Sequence, residues 1–174
     1  VLPSTGMLMN NAVSYFDPRP GFPTSLEGGK RINSSNMSPT LALRDGHVLF
    51  SVGASGANHI VPCTMQITGF LLDYGLSLEE GMHLPRVDAW SGDTIRADPE
   101  LGEETLRLLS GQFQVETAQR MVFPKLYACP SGVQRDPESG RVDAISDPSH
   151  PLAGGAAAEP WQLPKSSPMN FPQA

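Results

Sequence analysis

Ser51-Val52-Gly53-Ala54-Ser55-Gly56-Ala57-Asn58 decides how this chain is read. The apolar run Val48 to Val52 leads into it as a strand. Beyond it, Ile60, Cys63, Ile67, Phe70 and Leu71 recur at spacings of three and four, which places them on one face of a helix. The segment is therefore a strand, a turn of small residues and a helix start. Small residues let backbone N–H groups face a ligand, and the helix N-terminus adds positive partial charge. Such a turn suits a phosphate, a carboxylate or a developing oxyanion. The plainer alternative is that the glycines serve only the tight turn. The same residues nearly spell a nucleophile elbow, with Ser55 two after Gly53, but Ala57 stands where a second flanking glycine belongs. A serine hydrolase would pair Ser55 with His47, His59, His83 or His150, none of which sits in a recognisable partner motif.

Upstream of the turn, Thr40 to Leu43 and Val48 to Val52 flank Arg44-Asp45-Gly46-His47, and Asp-Gly between apolar runs predicts a hairpin. Residues 17 to 40 read as a long loop, and Gly6-Met7-Leu8-Met9 as a short strand. Downstream, Asn58 or Ser55 is positioned to cap the helix and Gly75 to end it. Ser77-Leu78-Glu79-Glu80 is a capping-box pattern for a second helix that Pro85 stops. Val87 to Trp90 and Thr94 to Ala97 read as strands. Asp98-Pro99 opens a third helix with Leu101, Thr105, Leu108 and Leu109 inward. Gln114 to Glu116, Leu126 to Ala128 and Arg141 to Ile145 are further strands. Glu79, Glu80, Glu103 and Glu104 fall on solvated helix faces. The pattern is α+β, with a mostly antiparallel sheet. Residues 1–150 form the domain; residues 151–174, rich in Ala, Gly, Pro and Ser, form a poorly structured tail.

The 174 residues are 39% hydrophobic and 17% charged, a globular composition. A net charge of −6 argues against nucleic acid as a partner, and no apolar run reaches the length of a membrane span. The 17 glycines and 17 prolines predict many turns. Cys63 and Cys129 make neither a disulfide framework nor a zinc signature. The four histidines are dispersed, so no metal site is expected and no cofactor is called for. Lys30 to Thr40 holds adjacent hydroxyls and amides that can bind a carboxylate, or form a plain polar turn.

Taken in order, these segments resemble the γ-glutamyltranspeptidases. The resemblance rests on Gly6-Met7-Leu8-Met9-Asn10-Asn11 with Phe16 after it, then Gly29-Lys30-Arg31 and Ser34-Ser35-Asn36-Met37-Ser38-Pro39-Thr40. It continues through Gly53-Ala54-Ser55-Gly56-Ala57, Asp73-Tyr74-Gly75, Leu84-Pro85-Arg86 and Ser146-Asp147-Pro148, covering about residues 6 to 150. It implies an N-terminal nucleophile hydrolase fold, an αββα sandwich of which this chain is part of the small subunit. It implies a large subunit cut from the same precursor as partner, and a periplasmic or extracellular setting, although the sequence itself says nothing of compartment. The chemistry it implies is attack of an N-terminal threonine, absent from this chain, on a γ-glutamyl amide, with passage of the acyl group to water or an acceptor amine. By the same resemblance the N–H groups of Gly56 and Ala57 form the oxyanion hole. Ser34 and Ser35 bind the substrate α-carboxylate, or Ser35 and Asn36 do, because Asn36 adds one residue to the family spacing. Ala12 and Tyr15 stand where the family has a Gln or Glu and an Asp that hold the substrate α-ammonium. A non-catalytic binding paralogue of the same fold is the rival from another class.

Overall fold

The computed structural model describes residues 2–6, 12–30, 37–91, 93–121 and 126–156. Met7 to Met9 of the expected strand Gly6 to Met9, and the carboxylate-binding candidates Ser34, Ser35 and Asn36, lie outside them. The chain divides into two compact units, Val1–Met37 and Ser38–Ala174.

In the first unit, Ala12–Tyr15 forms a 3-10 turn and the loop after it is closed by a bridge between Asp17 and Ser25. Arg19 folds back on Asp17, with Nη2 2.6 Å from Oδ2, and its guanidinium lies 4.0 Å over the Phe22 ring. The Arg19 hydrogen bonds hold the Asp17 carboxyl down at about 2.

The second unit is built on a four-stranded antiparallel sheet, ordered β1 (Thr40–Arg44), β2 (His47–Ser55), β6 (Cys129–Arg135), β7 (Val142–Ser146). Asp45 and Gly46, both at positive φ, make the expected hairpin turn between β1 and β2. Helices α1 (Ile60–Leu72) and α2 (Leu78–His83) bury their apolar sides with one face of this sheet. Phe50 and Val52 from β2 meet Ile60, Cys63, Ile67 and Leu71 from α1 and Leu78 and Met82 from α2. Each such large side chain contributes about 1.5–3 kcal/mol by leaving water. Ser77 and Glu80 close the capping box: Glu80 N–H donates to Ser77 Oγ at 3.2 Å and Ser77 N–H to Glu80 Oε2 at 2.8 Å. Gly75, at φ 67, turns the chain after α1 so that Leu76 N–H reaches the Phe70 carbonyl at 3.1 Å. All four glutamates expected on solvated faces are exposed.

A second sheet has three strands, β3 (Val87–Ser91), β4 (Thr94–Ala97) and β5 (Gln114–Thr117). Here β4 and β5 pair in parallel, because α3 (Glu103–Ser110) is the crossover between them. Three local expectations are corrected. Asp98-Pro99 opens only a 3-10 turn, Pro99–Leu101, and Gly102 at φ 84 breaks it from α3. That break resets the helix phase, so Thr105 and Leu108 face solvent while Leu106 and Leu109 are half-buried. Leu126 to Ala128 is not a strand: Tyr127 is buried there with its hydroxyl donating to the Ala118 carbonyl at 3.0 Å, and the strand starts at Cys129. Neither Asn58 nor Ser55 caps α1. A 3-10 turn, Ala57–His59, stands between the strand and the helix, and His59 is the N-cap without a side-chain bond.

Candidate active site

Strand β2 delivers the chain to Ser55, and Gly56 then takes φ 145, ψ 29. Two constraints require glycine there. That φ is one L side chains rarely adopt, and a Cβ would stand 2.8 Å from the Ala128 Cα. Ala57 follows at φ 51, also left-handed, a conformation that strains a non-glycine residue by roughly 1 kcal/mol or more. The turn closes when His59 N–H donates to the Gly56 carbonyl at 3.1 Å and Ile60 N–H to the Ala57 carbonyl. No acceptor among the described residues takes the N–H of Gly56 or of Ala57. Two consecutive N–H donors therefore open the turn that leads into α1, where the helix dipole adds positive partial charge.

The turn is tied to the second sheet by its own histidine. His59 Nδ1 lies 2.7 Å from Asp88 Oδ2, and the Asp88 side chain is only 3% exposed. Asp88 is paired across the strands with Arg96, and Arg96 with Glu116. Their charges follow that register: Arg96 Nη1 lies 3.6 Å from Asp88 and Nη2 3.4 Å from Glu116, while Nη1 also donates to the Leu126 carbonyl at 3.0 Å. Burial lifts the Asp88 carboxyl above the ordinary aspartate range, against the hydrogen bond from His59 and the charges of His59 and Arg96. The sequence offers His59 as one of four dispersed histidines, each a possible partner of Ser55, and does not single out Asp88, 29 residues away. The alternation of charge across Asp88, Arg96 and Glu116 was the available signal, and it needs the strand register to be seen.

Of the other candidates, Ala12 begins and Tyr15 ends the 3-10 turn of the first unit, with Tyr15 37% exposed. Ser55 ends β2 in an exposed position. The charged pair Arg86–Asp147, within the Pro85-Arg86 and Asp147-Pro148 motifs, is fully buried: Arg86 Nη2 lies 3.2 Å from Asp147 Oδ2, and Ser149 donates to Asp147 Oδ1 through its N–H and hydroxyl at 2.8 and 2.6 Å. It joins the end of α2 to the end of β7 as structure, away from the Gly56 turn in sequence.

The family profile described as gamma-glutamyltranspeptidase matches residues 1–157. The chain belongs to the gamma-glutamyltranspeptidase family. Among curated relatives, an acylase ACY 1 proenzyme of Pseudomonas sp. strain SE83 is 42% identical over 86 residues, 49% of this chain and 15% of the relative. The glutathione hydrolase proenzyme of Escherichia coli strain K12 is 27% identical over 154 residues, 83% of this chain and 26% of the relative. The chain thus spans about a quarter or less of these relatives. Among solved structures, the gamma-glutamyltranspeptidase of Pseudomonas nitroreducens superposes with a TM-score of 0.64 at 24% identity, covering 91% of this chain and 86% of that one. The T380A mutant of the Helicobacter pylori gamma-glutamyltranspeptidase gives 0.65 at 24% identity, covering 86% and 85%. The fold is therefore the α+β fold of the N-terminal nucleophile hydrolases of this family.

Proposed function

We propose that this gamma-glutamyltranspeptidase-family chain supplies the oxyanion donors of an amidohydrolase or acyltransferase, one that favours acyl donors lacking a free α-ammonium. The observation that carries the reading is the pair of adjacent N–H groups at Gly56 and Ala57, unclaimed among the described residues, at the entrance to α1. The nucleophile is an N-terminal threonine of the parent protein. Its Oγ attacks the amide carbon, its α-amine takes the Oγ proton, and the carbonyl oxygen becomes the oxyanion that the two N–H groups stabilise. Collapse expels the protonated amine, and water or an acceptor amine then breaks the acyl ester. Ala57 in place of glycine keeps a backbone donor. Ser34 and Ser35, or Ser35 and Asn36, hold the donor carboxylate.

The partner is the large subunit of the same precursor. One face of the four-stranded sheet supports this: Leu41 and Val133, in the row through Ser51 opposite the helices, are 55% and 40% exposed. Exposed apolar side chains on a sheet face are a surface for another layer.

The donor preference follows from Ala12 and Tyr15, neither of which offers a carboxylate to an α-ammonium. Leaving that charge buried without a partner costs about 3–5 kcal/mol, or on the order of a hundred- to a few thousand-fold in kcat/KM. The similarity to acylase proenzymes supports the same reading. The test is kcat/KM of the two-subunit protein on paired γ-glutamyl and glutaryl anilides. The glutaryl compound is expected to win; a γ-glutamyl preference of roughly tenfold, about 1.4 kcal/mol, overturns the specificity. The non-catalytic rival is excluded by turnover of either anilide.

A further inference from the structure

A trans peptide is planar, so its C=O and N–H point in opposite directions. The peptide joining Gly56 to Ala57 therefore has one orientation variable: whatever holds the Gly56 carbonyl also aims the Ala57 N–H. The His59 N–H holds that carbonyl, at 3.1 Å. His59 is in turn held from outside its own turn. Its ring lies 2.7 Å from the Asp88 carboxylate on β3, and Asp88 is buried and backed by Arg96 on β4. The turn needs such an anchor, because Gly56 and Ala57 both occupy left-handed φ values and no side chain caps either the 3-10 turn or α1.

We propose that His59 is a positioning residue whose ring, anchored on Asp88, aims the Ala57 N–H. The proposal rests on the reading of that N–H as an oxyanion donor for its catalytic consequence, but not for its structural content. Removing the ring–carboxylate bond frees the His59 backbone, lets the 56–57 peptide rotate, and turns the donor away from the site. Substrate binding, made by other residues, is left in place. A misplacement of about 1 Å at a reacting centre is enough for a loss on the order of 10²-fold.

The experiment uses the two-subunit protein with 15N-labelled glycine and alanine, as wild type, His59→Leu and His59→Gln. The Ala57 amide resonance and its hydrogen exchange are followed by NMR, and kcat and KM on the better anilide are measured alongside. In His59→Leu the Ala57 resonance should move and its exchange quicken. There kcat should fall about tenfold to 10²-fold, with KM little changed. His59→Gln, which can still donate to Asp88, should restore both. An Ala57 resonance and exchange rate identical in wild type and His59→Leu overturn the proposal, and so does a loss confined to KM. A wild type that turns over neither anilide defeats the enzymatic reading, yet the amide measurements still decide the positioning claim. Should His59→Leu fail to fold, Asp88→Asn replaces the charged acceptor with a neutral one in place. The Ala57 resonance should then move in the same direction by less, and an unmoved resonance overturns the proposal.

Discussion

Gln66 closes on Val87 from both sides of one peptide-like clamp: its Nε2 donates to the Val87 carbonyl at 2.7 Å, and its Oε1 accepts from the Val87 N–H at 2.9 Å. Among the described residues Val87 pairs within its sheet with Ala97, on one side of β3, and the Gln66 side chain meets the other side as a neighbouring strand would. Gln66→Leu leaves one donor and one acceptor without partners. It should destabilise the fold by about 1–3 kcal/mol, read as a lower urea midpoint with an unchanged slope. An unchanged midpoint would show that water satisfies β3 equally well.

The Arg86–Asp147 pair is 1% and 2% exposed, so truncating one partner strands the other in the core. Asp147→Ala should cost about 3–5 kcal/mol. Replacing both residues by apolar ones of similar volume should cost much less than the single change. Chemical denaturation of the single and double variants separates these outcomes.

Gly56 and Ala57 respond to side-chain size in opposite ways. Gly56→Ala puts a Cβ against the Ala128 backbone at an unfavourable φ, and should lower both stability and turnover. Ala57→Gly relieves the left-handed strain, but glycine gives about 0.4–1 kcal/mol back to the unfolded chain. Stability should then change by no more than about 1 kcal/mol, with kcat retained because the N–H remains. A large loss of kcat in Ala57→Gly would mean that the alanine methyl has a part in the site.

Asp88 makes stability fall with pH. Its carboxyl is raised above 3.8 in the folded protein, so the native state holds this proton more tightly than the unfolded chain does. The favourable contribution is complete below 3.8 and is lost as pH rises through the raised value. Asp88→Asn removes the titration. The variant's unfolding free energy, compared with wild type, should improve progressively across that window and then level off. Parallel pH curves for the two proteins would contradict it.

Sequence alone was enough wherever the deciding forces act between near neighbours. Asp45-Gly46 makes its turn because both residues accept positive φ, and Ser77 with Glu80 builds a capping box from four consecutive residues. Ile60, Cys63, Ile67 and Leu71 face the core because a helix brings spacings of three and four together. The small-residue turn at Gly56 was legible as a candidate site for the same reason.

Tertiary contact alone decided the rest. Cys129-Pro130-Ser131-Gly132 follows the expected strand Leu126 to Ala128 and is not itself expected to be one, yet it lies in β6, between β2 and β7 in the sheet. Gly132 is there because a Cβ would meet the Ser51 carbonyl and the Val52 side chain at 2.9 Å, and Leu78 at 3.2 Å. Those neighbours come from β2 and α2, more than 50 residues before it in sequence. His59 meets Asp88 across 29 residues, and Asp88, Arg96 and Glu116 align only once β3, β4 and β5 take their register. Periodicity reports which face of an element is apolar; it carries no information about which distant element will cover that face or which charge will meet a given histidine.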